Sequence, residues 1–132
     1  MSTVRIESSV PAPEPIDWSE DPDNGWAVVA HALAPMIGLL SGWLALTIAG
    51  RRSEFVRQHA RQAVNFQINV MGLGLVLLGL EFGVYVKFGL LLLPILIAGF
   101  VWPLVAARRA RRGFWMPYPQ LIPFLRALPE PE

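Results

Sequence analysis

Few residues of this chain could do chemistry: two histidines and a run of side-chain amides. Gln58, Gln62, Asn65 and Asn69 follow one another at steps of four, three and four residues. On a helix that spacing lines one face, because a turn takes 3.6 residues. Amides on an apolar helix must find partners, since lipid offers none. They either hydrogen-bond neighbouring helices or line a hydrated path into the membrane. His31 and His59 are imidazoles that could ligate a metal or haem, pass a proton, or serve as hydrogen-bonded packing residues. No catalytic set accompanies them. There is no Gly-rich phosphate loop and no Ser-His-Asp arrangement, and the acids between residues 24 and 129 are Glu54 and Glu81. With no cysteine, thiolate nucleophiles, disulfides, iron–sulfur clusters and Cys-type zinc sites are excluded. The chain reads as non-enzymatic, with no cofactor and no metal.

The elements that must position these residues follow from where charge is missing. Of 132 residues, 54% are apolar and 16% charged, against roughly 25% charged in an average soluble domain. Residues 24–50, 62–80 and 88–107 hold no Asp, Glu, Lys or Arg, gaps of 27, 19 and 20 residues. A helix needs about 20 mainly apolar residues to cross a hydrocarbon core of ~30 Å. Stretches 72–80 and 88–98 are apolar all round, and a helix of that kind is buried in a large core or in lipid. A chain this short cannot bury three of them. The reading is an all-α integral membrane protein with three transmembrane helices, about 26–50, 54–80 and 88–112, in a helical domain spanning 25–113. Ser53 is a reasonable N-cap for the second.

Residues 1–24 precede this domain as a Pro- and acid-rich tail, expected to be disordered. The first 25 residues carry six acids against one Arg and no apolar run, which is not a signal-peptide pattern. Residues 114–132 follow as an aromatic, Pro-rich tail. There Phe114, Trp115 and Tyr118 are expected to anchor at the membrane interface, while Pro117, Pro119 and Pro123 prevent a long helix.

Orientation comes from arginine. Arg51, Arg52, Arg57 and Arg61 lie between the first two apolar segments, and Arg108, Arg109, Arg111 and Arg112 follow the third. Short basic loops stay cytoplasmic, so both clusters lie inside. Arg51, Arg52, Arg108, Arg109, Arg111 and Arg112 then face lipid headgroups, and the 81–87 connection lies outside. Three full crossings put the acidic tail outside as well. A rival arrangement is open, because Pro35, Gly38 and Gly42 interrupt the first segment, which could dip in and return. The N-terminus would then be cytoplasmic. The two arrangements treat the histidines differently. Three crossings place His31 and His59 near opposite faces, where they cannot share a metal or haem, whereas a re-entrant segment lets them approach. Ala30, Ala34, Gly38 and Gly42 recur every four residues, and Gly79 and Gly83 repeat the pattern. Such stripes let helix backbones approach closely, within the chain or across a homo-oligomer seam.

Local signatures add a resemblance. The first segment opens with Trp26, Ala27 and His31. The second begins Phe55-Val56-Arg57-Gln58-His59-Ala60-Arg61-Gln62-Ala63-Val64-Asn65-Phe66-Gln67. Gly113 precedes Tyr118-Pro119 by five residues. In this order, over roughly residues 24–125, the chain resembles the Tic-twenty-like family. That family joins bacterial membrane proteins of unknown function with a subunit of the chloroplast inner-envelope import translocon. The resemblance implies an all-helical membrane protein without enzymatic chemistry, with His31, His59, Asn65, Tyr118 and Pro119 as family-type positions. It also implies a channel-associated precedent with four spans.

Three roles follow. The first is an accessory or assembly subunit working by helix packing in a bacterial cytoplasmic membrane. Its partners would be the lipid bilayer and a membrane protein or second copy, with no nucleic acid. The second is an oligomeric channel or protein-translocation component using the Gln58–Asn69 stripe. The third is an electron-transfer or metal-binding subunit built on His31 and His59.

Overall fold

The computed structural model describes residues 17–84, 89–115, Tyr118, Ile122 and Leu125. These form a 3-10 turn, Trp18–Glu20, and five helices. The helices are α1 (Asn24–Ala32), α2 (Ala34–Ile37), α3 (Leu39–Ile48), α4 (Glu54–Val84) and α5 (Gly89–Arg111). No strand occurs among the described residues.

The first apolar segment is not one helix. Pro35 has no N–H to offer the carbonyl of His31, so α1 stops at Ala32. One short turn of helix follows, and at Gly38 the backbone takes φ 56° and ψ −128°. A residue with a Cβ rarely adopts that conformation. The turn keeps its own amides paired: the N–H groups of Met36 and Ile37 both donate to the Leu33 carbonyl at 2.9 Å, and that of Gly38 to Ala34 at 2.8 Å. The chain then doubles back. Ser41 Oγ donates to the Ala30 carbonyl at 2.8 Å, tying α3 to α1. At the open end of this hairpin, Arg52 pairs with Asp23 at 3.0 Å, and Ser53 Oγ donates to Asp21 Oδ2 at 2.6 Å. Both ends of the segment therefore lie together, and each arm is about 14–15 Å long at 1.5 Å per residue.

This corrects the three-helix expectation. Among the described residues, two helices are long and apolar enough to cross a membrane, Glu54–Phe82 and Leu90–Arg111. The segment 26–50 is a helical hairpin too short to cross, which is the rival arrangement left open by Pro35 and Gly38. Small residues every four positions do not reveal a break, because the residues that smooth a helix also permit it to turn.

Ser53 caps α4 by accepting the Val56 N–H at 3.1 Å and is itself held by Asp21. The core lies in the half of the molecule near the Arg clusters. It consists of Ala27, Ala30, Ala45, Ala49, Phe55, Val56, Ala60, Ala63 and Ala110, with Trp18, Trp26 and Trp115 packed against it. Alanines at these contacts let four helices approach closely, as small residues do in membrane bundles. Beyond Met71 on α4, and from Leu90 to Trp102 on α5, no described side chain is buried.

The expectation of a disordered N-terminal tail is corrected for its last residues. Asp17–Asp23 are folded: Asp17 caps the 3-10 turn and Trp18 stacks on Phe55 at 5.6 Å. Gly113, at φ 76°, approaches that turn so closely that a Cβ there would lie 2.5 Å from the Ser19 nitrogen. The earlier part of the acidic tail, residues 1–16, lies outside the described residues. Tyr118, in the tail expected to anchor at the membrane interface, is buried against Phe66 and Ala106.

Candidate functional site

The hairpin brings the two histidines together. His31 Nε2 and His59 Nδ1 are 2.8 Å apart, and both side chains are fully buried. The Tyr118 hydroxyl lies 2.8 Å from His31 Nδ1. One continuous hydrogen-bonded chain thus joins the C-terminal segment, α1 and α4. Its polarity follows from donor counting: if the phenol donates to His31 Nδ1, His31 Nε2–H donates to His59 Nδ1. His59 Nε2 has no hydrogen-bond partner among the described residues. Burial pushes the Tyr118 phenol up, so it stays protonated.

Aromatic rings close the site. Trp115 lies parallel to His59, with centroids 5.4 Å apart, and Phe55 tilts against it at 4.4 Å. Tyr118 stacks on His31 at 5.4 Å. The expected separation of His31 from His59 is overturned, because it assumed that the first segment crossed the membrane. No group of three or more His, Asp or Glu side chains that could hold a metal ion occurs among the described residues.

The amide stripe meets the chain's own C-terminal segment. Asn65 Nδ2 donates to the Leu125 carbonyl and Asn65 Oδ1 accepts the Leu125 N–H, each at 2.6 Å. Asn69 treats Ile122 the same way, at 2.8 and 2.9 Å. Each amide thereby pairs with a main chain as a neighbouring β-strand would. Ile122 pairs with the Asn farther from the Arg-rich end, and Leu125 with the nearer one. Non-helical backbone beside apolar helices needs such partners. Gln58 donates to Glu54 at 3.3 Å. Gln62 is buried, with its Oε1 lacking a hydrogen bond among the described residues.

The small-residue positions separate. Ala30 and Ala34 are buried. A Cβ on Gly42 would lie 2.8 Å from Val64 Cγ2 and 3.0 Å from the Ala60 carbonyl, which marks the close approach of α3 to α4. Gly38 and Gly79 face open space. Gly38 is therefore a turn residue and not part of a packing stripe. Gly83 is in the last turn of α4, and its surroundings lie outside the described residues. Arg51, Arg52, Arg108, Arg109, Arg111 and Arg112 are all exposed at one end of the molecule.

The C-terminal partners were missed in sequence because main-chain donors and acceptors leave no side-chain pattern. The signal that existed was a surplus of amides on α4 beside a segment whose prolines forbid a helix.

Residues 22–125 match the sequence profile of the Magnetosome magnetite crystal formation protein family. No curated protein and no solved structure matches the chain. The profile match overturns the resemblance to the Tic-twenty-like family and, with it, the protein-translocation reading. The string from Phe55 to Gln67 that carried the resemblance lies inside the matched region. Phe55, Val56, His59, Ala60, Ala63, Asn65, Phe66 and Gln67 are all buried there. Such a string records how a helix is walled in by its neighbours, which is a weak guide to what the protein does.

Proposed function

We infer, since this chain belongs to the magnetosome magnetite crystal formation protein family, that it is a small non-enzymatic accessory protein of the magnetosome membrane. It influences crystal formation from within the bilayer, by packing against a membrane-protein partner or a second copy. The Arg-rich end faces the cytoplasm, following the positive-inside tendency.

One observation carries this mode of action. The hairpin ends, the acidic turn and both Arg clusters gather at one end of the molecule. The opposite end follows Glu81, the single acid between Glu54 and residue 129. A protein that templated mineral directly from that opposite end would present clustered carboxylates or imidazoles to iron there, whereas the clustered acids of this chain lie in the turn at the Arg-rich end. Both histidines instead sit in the buried chain, and the Asn65 and Asn69 amides hold the chain's own tail. What remains on the membrane-facing surface is apolar side chain.

The test is complementation in magnetite-forming cells that lack the protein. Doubling Asn65→Leu with Asn69→Leu alters no charge but releases the tail, and it should change crystal size or shape. Glu81→Gln should leave crystals as they are. Altered crystals with Glu81→Gln, together with normal crystals in the Asn variant, would sink the packing mechanism.

A further inference from the structure

Among the described residues, the two halves of the molecule differ in breadth. The half near the Arg clusters contains α1, α3, the first part of α4 and the last part of α5, with Tyr118, Ile122 and Leu125 docked beside them. Among the described residues, the far half contains α4 and α5 alone. Each helix with its side chains is about 10–12 Å across, so four helices against two give roughly twice the cross-section. The hairpin is not a soluble cap. Residues 24–50 carry no charged side chain, and Met36, Leu40 and Trp43 are 81, 65 and 55% exposed. That surface belongs in hydrocarbon, and arms of about 15 Å reach only half way through a ~30 Å core.

From this we propose that the protein is a wedge that prefers strongly curved membrane, with its broad Arg-bearing end in the convex leaflet. In a flat bilayer the broad end crowds one leaflet and the narrow end leaves lipid splayed in the other. In a small vesicle the outer leaflet has more area than the inner, and a molecule oriented with its Arg clusters outward fits both. The ligand is the shape of the bilayer, and no lipid headgroup need be recognised. The inference does not depend on a role in mineral formation.

The far half also supplies the variant that tests it. A Cβ on Gly72, Gly74 or Gly79 meets nothing within 4 Å, so bulky side chains there widen the narrow end without disturbing the packed half. The full chain is reconstituted into phosphatidylcholine–phosphatidylglycerol vesicles of mixed diameter. Protein density per area is read against diameter by single-vesicle fluorescence, and orientation by trypsin access to the Arg-rich ends. Density should rise severalfold in the smallest vesicles, with the Arg-rich ends outward in excess. Joint Gly72→Phe, Gly74→Phe and Gly79→Phe substitution should flatten that dependence. Density independent of diameter in the native chain would overturn the proposal, as would an unchanged preference in the triple variant. Helix content by circular dichroism checks that the triple variant is folded. If it is not, single Gly74→Phe is read on the same assay with the same two outcomes.

Discussion

The two halves of α4 are one helix put to opposite uses. Between Phe55 and Gln67, only Arg57 and Arg61 escape burial, whereas from Met71 to Phe82 nothing is buried. Composition runs against the usual rule for soluble proteins. The walled half carries Gln58, His59, Gln62, Asn65 and Gln67, and the open half carries the leucines. In lipid the apolar side chain has nothing to gain by hiding, so what collects inside is whatever hydrocarbon cannot satisfy. The core is accordingly a set of alanines framing a hydrogen-bonded network, and the leucines form a surface suited to lipid.

Breaking the network should have the largest effect. Asn65→Leu leaves both main-chain groups of Leu125 unpaired, at about 1–3 kcal/mol for each orphaned group. The unfolding midpoint in detergent should fall clearly, and amide exchange at Leu125 should accelerate. An unchanged midpoint would show that water replaces the amide and that the docked tail contributes little. Next comes His31→Leu, which orphans the Tyr118 hydroxyl and His59 Nδ1 together. A loss of about 1–3 kcal/mol is expected, with Tyr118 becoming accessible to iodination.

A matched pair of glycine substitutions sharpens the contrast between halves. Gly42→Val forces a side chain into Val64 and the Ala60 carbonyl, and overpacking of that kind costs about 1–3 kcal/mol. Gly79→Val meets open space and should stay within about 0.5 kcal/mol of the native chain. Equal effects would mean that the two halves are not packed differently. The smallest effect belongs to Arg52→Ala. Its ion pair with Asp23 is 61% exposed on the Arg side, and such pairs contribute about 0–1 kcal/mol. Salt titration of the native chain should leave the hairpin closed, because Ser53 still holds Asp21.

The membrane character of this chain was legible from charge alone, since Arg51 to Arg61 and Arg108 to Arg112 bracket the apolar stretches. The hairpin was half legible. Pro35 and Gly38 announced a break, but residues 24–50 are long enough to cross, and length outweighed the break. Everything at the site followed from that choice, because His31 meets His59 only if the chain returns. The tail docking was hidden for a different reason. Asn65 and Asn69 advertise a need for partners, but the partners are the peptide groups of Ile122 and Leu125, which every residue except proline carries. The Phe55–Gln67 string misled because burial constrains its residue types whatever the family's task.

Tail anchoring through peptide groups has a consequence for sequence tolerance. The Asn65 and Asn69 bonds engage the N–H and carbonyl of positions 122 and 125 and ignore what stands on their α-carbons. Ile122, 56% exposed, has room for nearly any substituent. A saturation library at position 122 should therefore return docked tails with aliphatic, aromatic and small residues alike, and reject proline, whose missing N–H removes one bond of the pair. Position 122 is free to change its side chain while remaining fastened, which makes it the natural place to append an apolar label without loosening the helices beneath it.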